Sequence, residues 1–146
     1  RPAKLDESLE EGRIRTCLEQ AWPFPHRNAS VLLHGDFWPG NILWNEGHIA
    51  AVIDWEDAHV GDPVGDLANS RLEILWAFGQ DAMDSFTRDY KAQSNLDFTS
   101  LPYWDLCAAL RPAFQIAVWA GDPATEARMR ERHKLFVQQA FDALPT

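Results

Sequence analysis

The stretch that decides the fold reads His34-Gly35-Asp36-Phe37-Trp38-Pro39-Gly40-Asn41. A short apolar run, Ser30 to Leu33, leads into it, and this order predicts a strand that delivers a polar loop. Asp36 and Asn41 could simply cap their own turn, as these residue types often do. The context favours a chemical role, because the loop is followed by a hairpin and then by a further aspartate.

That hairpin is predicted from two apolar runs, 41–44 and 48–55, which Asn45-Glu46-Gly47 separates. The glycine of the connection can adopt the positive φ that a tight turn needs. The second strand is expected to end at Asp54. Since a tight turn brings the outer ends of its two strands together, Asn41 and Asp54 are expected to meet at one site.

The rest of the chain is predicted to be helical apart from a loop over 56–64 that is rich in Asp and Gly. An amphipathic helix is expected over 4–21, and the prolines of 22–25 end it. Pro112 should kink or split the third of the later helices. These are predicted over 65–78, 80–94, 100–120 and 123–142. The predicted fold class is α+β and mostly α, with a small β-hairpin in a helical body.

Composition limits the possible partners and location. The 146 residues are enough for one domain. The net charge of -9 argues against a nucleic acid partner, and it fits either a cationic small substrate or simple solubility. No apolar run approaches the ~18 residues that span a bilayer, and no signal-peptide pattern opens the chain. We therefore expect a cytoplasmic protein without a membrane partner, with Cys17 and Cys107 as buried thiols.

The residue types of the loop match the needs of phosphoryl transfer. That reaction needs a carboxylate that orients the attacking hydroxyl and accepts its proton, and oxygen ligands that hold Mg²⁺ against nucleotide phosphates. Protein kinases carry these groups on a loop of the form H-R-D-x-x-x-x-N and on an aspartate that ends a later strand. His34, Asp36 and Asn41 reproduce that loop spacing, and Asp54 follows the hairpin. By itself, this pattern leaves His34 open as a general base or a buried scaffold.

Together with the residues around them, these positions form motifs that resemble those of the aminoglycoside phosphotransferase and choline kinase-like family. The resemblance is carried in order by Leu32–Leu43, Val52–Glu56 and Gly61–Ala68. It implies that residues 1–146 are the C-terminal lobe of a protein-kinase-like fold, whose hairpin carries the catalytic and metal-binding loops. It also implies ATP or another nucleoside triphosphate, Mg²⁺, and an aminoglycoside-, choline- or sugar-like acceptor with a free hydroxyl.

The resemblance assigns roles residue by residue. Asp36 would be the catalytic base, and Asn41 and Asp54 would hold Mg²⁺ and with it the nucleotide. His34 would brace the catalytic loop rather than react. Asp66 would anchor the backbone of that loop from the start of the next helix.

Weaker candidates surround these residues. Trp38, Glu56 and Asp57 are candidates for a substrate groove, although core packing of the Trp and a solvated acidic loop are close rivals. Asp62 followed by Pro63 predicts a helix cap with proline in the first turn.

The family pattern also exposes a gap. No Gly-rich loop or candidate phosphate-binding Lys precedes the catalytic loop, and the chain begins Arg1-Pro2 without Met. We therefore expect a piece of a longer protein whose N-terminal nucleotide-binding lobe is missing, and which is nearly inactive alone. Two other hypotheses are a non-catalytic binding lobe and a metal-dependent hydrolase. The hydrolase would use His34, Asp36, Asp54 and His59, and it would need further closely spaced His ligands.

Overall fold

The computed structural model describes residues 2–24 and 27–145. The chain divides into two compact units. The helical unit comprises Arg1–Pro25 and Thr99–Thr146, and the loop unit comprises His26–Phe98. Helices predominate and the sheets are small and antiparallel, which confirms the predicted fold class.

The loop unit contains two β-ribbons. Their strands are β1 (Val31–Leu33), β2 (Ile42–Asn45), β3 (His48–Val52) and β4 (His59–Gly61). Strands β1 and β4 pair antiparallel, with Leu32 opposite Val60. Strands β2 and β3 form the predicted hairpin, with Trp44 opposite Ile49 and a register shift between Leu43 and Trp44. A single turn of 3₁₀-helix, Pro39–Asn41, leads into β2.

Helices make up most of the remaining chain. They are α1 (Glu11–Ala21), α2 (Pro63–Phe78), α3 (Gln80–Ala92), α4 (Leu101–Ala109), α5 (Ile116–Ala120) and α6 (Pro123–Asp142). In the loop unit, α2 packs against α3. In the helical unit, α6 packs against α4 and α5. No helix within the described ranges is long and apolar enough to cross a membrane.

Each unit has its own apolar core. In the loop unit the core lies on the buried faces of α2 and α3 and is built from Val64, Leu67, Leu72, Leu75 and Met83. In the helical unit it is built from Ile14, Leu106, Ile116, Phe136 and Val137. Burial of these side chains is the main stabilising term for both units.

The first helix begins later than predicted. A 3₁₀ turn, Glu7–Leu9, occupies the start of the predicted 4–21 segment, and α1 begins only at Glu11. The reason is local, because Glu10 adopts a left-handed conformation with φ of 57°, which no α-helix continues through. The Asp6 carboxylate stabilises the turn by accepting a hydrogen bond from the Ser8 N–H at 3.2 Å.

The segment around Pro112 splits as predicted. Helix α4 ends at Ala109 and α5 begins at Ile116, with turns between them. Phe114 in this connection has a positive φ of 60°. Its N–H donates to the Asp6 carboxylate at 2.9 Å, so a distant acid supplies the partner that an interrupted helix cannot.

Two smaller expectations need correction. The predicted loop over 56–64 contains β4, whose three residues are too short to show alternation and are largely exposed. Pairing with β1 creates this strand. The free thiols of Cys17 and Cys107 are half-buried rather than buried. Burial still raises the pKa of Cys107 to about 11.

Candidate active site

The loop after β1 turns sharply at Gly35. Its φ is +82°, a conformation that side chains disfavour. A Cβ at this position would lie 2.3 Å from the backbone oxygen of Asp57. Glycine is therefore required both for the turn and for the close approach of the 57 segment.

Helix α2 holds the same turn from the other side. The Asp66 carboxylate accepts hydrogen bonds from the N–H groups of His34 at 2.6 Å and Gly35 at 3.0 Å. Asp66 lies in the first turn of α2, where the helix dipole favours negative charge. The cap predicted at Asp62 is confirmed, because its carboxylate accepts from the Val64 N–H at 3.0 Å and Pro63 follows it.

His34 is buried and both of its ring nitrogens are engaged. The backbone N–H of Asp36 donates to Nδ1 at 3.2 Å. That assigns the ring proton to Nε2, which lies 2.8 Å from the carbonyl oxygen of Ile53 and donates to it. The ring centroid lies 4.5 Å from that of Trp55. This enclosed imidazole ties the loop to the end of β3, and this geometry favours the scaffold over the general base.

Asn41 closes the loop onto Asp36. Its Nδ2 donates to the Asp36 carbonyl oxygen at 2.9 Å and to the Asp36 carboxylate at 3.3 Å. The side chain of Asn41 is buried, whereas that of Asp36 is partly accessible. Because the amide nitrogen is used inside the loop, the amide oxygen Oδ1 is the atom of Asn41 that can ligate a cation.

Asp54 follows the hairpin directly. Strand β3 ends at Val52, two residues earlier than predicted. The Ile53 N–H still donates to the Asn41 carbonyl oxygen at 2.9 Å, which joins the outer ends of the hairpin. Asp54 then turns out of the strand with φ of 65° and is exposed to solvent. The predicted proximity of Asn41 and Asp54 thus has a backbone basis in the described residues.

The candidates for a substrate groove are less tightly held. Trp38 is 39% exposed, and its ring lies across Gly40, where a Cβ would be 2.2 Å from the indole. Glu56 and Asp57 are both exposed. The carbonyl oxygen of Asp57 lies 2.9 Å from Nδ1 of His59, so that histidine serves its own loop.

Two residues of the site were missed by sequence reasoning. The Ser70 hydroxyl lies 2.9 Å from the carbonyl oxygens of both Phe37 and Asp66 and shares its proton between them. Asn69 Nδ2 lies 3.4 Å from the Gly35 carbonyl oxygen. Their spacing could have indicated them, because residues three and four positions after Asp66 lie on the same face of a helix as Asp66.

Tyr90 of α3 was also missed. Burial raises its pKa, and the nearby carboxylates of Asp66 and Asp62 raise it further. A neutral phenol therefore faces the two acids that support the start of α2.

The candidate ligands Asn41 and Asp54 fit an Mg²⁺ site with few protein ligands better than a site with three or more His, Cys, Asp or Glu ligands. Over residues 2–24 and 27–145, no group of three or more His, Cys, Asp or Glu side chains is placed to hold a metal ion. The hydrolase hypothesis requires such a group. Mg²⁺ instead takes one or two protein oxygens and completes its octahedron with phosphates and waters. The Asn41 amide oxygen and the Asp54 carboxylate are ligands of that kind.

A separate cavity of about 420 Å³ lies in the helical unit. It is bounded by the 3₁₀ turn at Glu7–Leu9 and by α6. None of the predicted site residues lines it. Its position therefore adds nothing to the candidate active site.

Comparison with known proteins assigns the chain to a family. The model of the phosphotransferase enzyme family APH matches residues 1–110, and the chain belongs to this family. The predicted resemblance to this family is confirmed, and the chain has the kinase-like fold of its solved structural neighbours.

Two curated relatives show how local the sequence likeness is. The chain is 41% identical over 51 residues to human acyl-CoA dehydrogenase family member 11, covering 34% of the chain and 6% of that protein. It is 47% identical over 38 residues to hygromycin-B 4-O-kinase of Escherichia coli, covering 26% of the chain and 11% of that enzyme. The chain thus matches only a small part of either relative's length.

Solved structures extend the likeness to nearly the whole chain. The apo form of a thermostable mutant of aminoglycoside phosphotransferase APH(4)-Ia superposes with a TM-score of 0.60 at 23% identity. This match covers 95% of the chain and 46% of that structure. The ternary complex of the N202A mutant with AMP-PNP and hygromycin B superposes with a TM-score of 0.59 at 25% identity. This match covers 90% of the chain and 43% of that structure. The chain therefore spans less than half of these kinases.

Proposed function

We propose that this chain is the catalytic lobe of an ATP-dependent phosphotransferase that moves the γ-phosphate to a hydroxyl of a small molecule. The observation that carries the proposal is the loop closure at Asn41. Its amide nitrogen binds Asp36 while its backbone binds the residue before Asp54. This closure supports the proposal that a carboxylate base and two oxygen ligands act at one site.

Each residue has a distinct role in this proposal. Asp36 accepts the proton of the acceptor hydroxyl. The hydroxyl oxygen bonds to the γ-phosphorus, and the bond between that phosphorus and ADP breaks. The Asn41 amide oxygen and the Asp54 carboxylate hold Mg²⁺. When bound, that ion neutralises charge on the phosphates. His34 and Asp66 do not react, and their hydrogen bonds keep the loop in place.

The cofactor and acceptor are proposed from the family and the charge. The solved neighbour holds AMP-PNP and hygromycin B, which supports ATP as donor and a polyhydroxylated small molecule as acceptor. The net charge of -9 suits a cationic acceptor. Trp38, Glu56 and Asp57 would line its groove. We place this activity in the cytoplasm as part of the same proposal, because ATP is its donor.

A second lobe completes the active site in this proposal. Clamping of the nucleotide phosphates and bridging by the metal must both be present for efficient transfer. The chain covers less than half of the solved kinases. The ribbons of the loop unit also expose the cross-strand pairs Leu32–Val60 and Trp44–Ile49, each side chain more than half accessible. Such apolar pairs suit coverage by another part of the protein.

The direct test removes the proposed base. In the full-length protein, Asp36→Asn should lower kcat for an aminoglycoside, choline or sugar acceptor by roughly a hundred- to ten-thousandfold. The measurement is coupled release of ADP with MgATP. Asp81→Asn is the matched control, because Asp81 is an exposed acid on α3. Retention of wild-type kcat by Asp36→Asn would refute the assignment.

A further inference from the structure

Asn28 binds two distant segments of the loop unit through one side chain. Its Nδ2 donates to the Asp62 carboxylate at 3.0 Å and to the carbonyl oxygen of Asp97 at 3.0 Å. Its Oδ1 accepts from the Asp97 N–H at 2.9 Å. Both amide protons and the amide oxygen are therefore used, which gives the side chain one defined orientation.

The Asp62 oxygen that Asn28 contacts is also the cap of α2. The same Oδ1 accepts the Val64 N–H at 3.0 Å, and Asp62 is only 3% exposed. One helical turn later, Asp66 accepts the N–H groups of His34 and Gly35. Since a helix turn is rigid, the position of its cap determines the position of Asp66.

The two ends of this connection meet in the catalytic loop. Asn28 precedes β1, which leads directly into His34. Asp62 precedes the helix that holds the same loop residue through Asp66. The hydrogen bond from Asn28 to Asp62 therefore closes a ring of covalent and hydrogen-bonded links around the start of the loop. A ring of this kind resists small displacements better than either link alone.

We propose that Asn28 is a positioning residue for the catalytic loop and acts through Asp62 and Asp66. Its effect is to set the position of the Asp36 carboxylate. This inference rests on the proposed function for its kinetic consequence, but its structural consequence can be measured without turnover.

The test reverses the donor and the acceptor of the Asn28–Asp62 hydrogen bond in the full-length protein, in two steps. Asn28→Asp removes both donors and sets a second carboxylate against Asp62. We expect kcat to fall about ten- to a hundredfold while KM for MgATP and for the acceptor changes little. Adding Asp62→Asn restores a donor and an acceptor in reversed order. The double variant should recover part of the lost kcat, because the bond to residue 62 is restored while the donor to the Asp97 carbonyl oxygen stays lost.

A second readout separates this inference from the proposed function. Hydrogen exchange of the His34 and Gly35 amides reports their bonds to Asp66 directly. Asn28→Asp should speed their exchange about tenfold, with recovery in the double variant and no change in Asn95→Asp, an exposed asparagine in the same unit. If the wild type transfers no phosphate, the proposed function fails, but the exchange rates of the His34 and Gly35 amides still test whether Asn28 positions the loop. If Asn28→Asp leaves both amides protected, the inference is wrong. Asn28→Ser, which adds no charge, serves if the aspartate variant does not fold.

Discussion

At the scale of single residues, Gly35 is the most constrained position of the candidate site. It combines a φ of +82° with a backbone oxygen 2.3 Å from the place of a Cβ. Gly47 in the hairpin turn has nearly the same φ, +79°, but nothing within 4 Å. Comparing Gly35 with Gly47 therefore separates the free energy cost of a positive φ from that of a steric clash with the added methyl group.

We predict that Gly35→Ala lowers the free energy of unfolding more than Gly47→Ala does. The hairpin variant should lose about 1 kcal/mol from its left-handed conformation. The loop variant should lose at least about 2 kcal/mol, because the methyl group also displaces the Asp57 backbone. Urea denaturation of the two variants measures both values. Equal losses would mean that the 57 segment moves away at little cost.

A second residue predicts the response to acid. Burial lowers the pKa of His133 in the helical unit from 6.5 to about 4. The charges of Asp6 and Glu10 oppose this shift, and the charge of Arg130 adds to it. The unfolded chain therefore binds a proton at a higher pH than the folded chain. Stability is complete above pH 6.5 and is lost as the pH falls towards 4, by about 3 kcal/mol.

His133→Gln should remove most of this pH dependence. The free energy of unfolding, measured in urea at several values between pH 4 and pH 7, should become nearly flat apart from the contribution of carboxylates. His48→Gln, at an exposed position in the hairpin, is the matched control and should keep the slope. A slope that persists in His133→Gln would assign the acid sensitivity to other groups.

At the scale of elements, α2 is the platform on which the loop rests. Its Asp66, Asn69 and Ser70 all reach loop backbone from one face. The helix itself begins where a buried cap and a proline coincide, at Asp62 and Pro63. Placement of the loop therefore depends on where this helix starts.

We predict that Asp66→Asn lowers the free energy of unfolding by about 2 to 3 kcal/mol, because an amide sets a donor against one of the two loop N–H groups. Ser70→Ala is the milder comparison on the same face and should lose about 1 kcal/mol. Chemical denaturation measures both. A smaller loss for Asp66→Asn than for Ser70→Ala would show that the carboxylate is not the main support.

At the scale of the whole molecule, the exposed apolar pairs on the ribbons predict association of the purified chain. Sedimentation velocity should show a concentration-dependent rise in mass, because burying these side chains removes apolar surface from water. Trp44→Glu should return the chain to the monomer. Phe78→Glu changes an exposed aromatic that is the last residue of α2 and belongs to neither ribbon, and this variant should still associate.

The isolated chain should also be nearly inactive with MgATP and the acceptor panel. In the proposed function this chain contributes the base and the metal ligands, and a second lobe contributes the clamp for the phosphates. Turnover comparable to that of the full-length protein would show that this chain binds the nucleotide by itself.

Sequence reasoning succeeded where the signal was short in range. The hairpin turn, the cap at Asp62 and the break near Pro112 all depend on neighbours along the chain. It failed at β4, because a three-residue exposed strand has no pattern of its own. It also placed the start of α1 too early, since nothing in the sequence marks Glu10 as left-handed.

The family and the fold class could be predicted from residue type and spacing along the chain, and both predictions are confirmed. The choice of catalytic and metal-binding residues stays a prediction. The tertiary structure decided how those residues are used. It engaged both nitrogens of His34, turned the Asn41 amide nitrogen towards Asp36 and set the Asp66 carboxylate of α2 against the N–H groups of His34 and Gly35. The contacts of His34 with Ile53 and of Asp66 with the loop join segments far apart in sequence. Their geometry depends on packing, which no local pattern encodes.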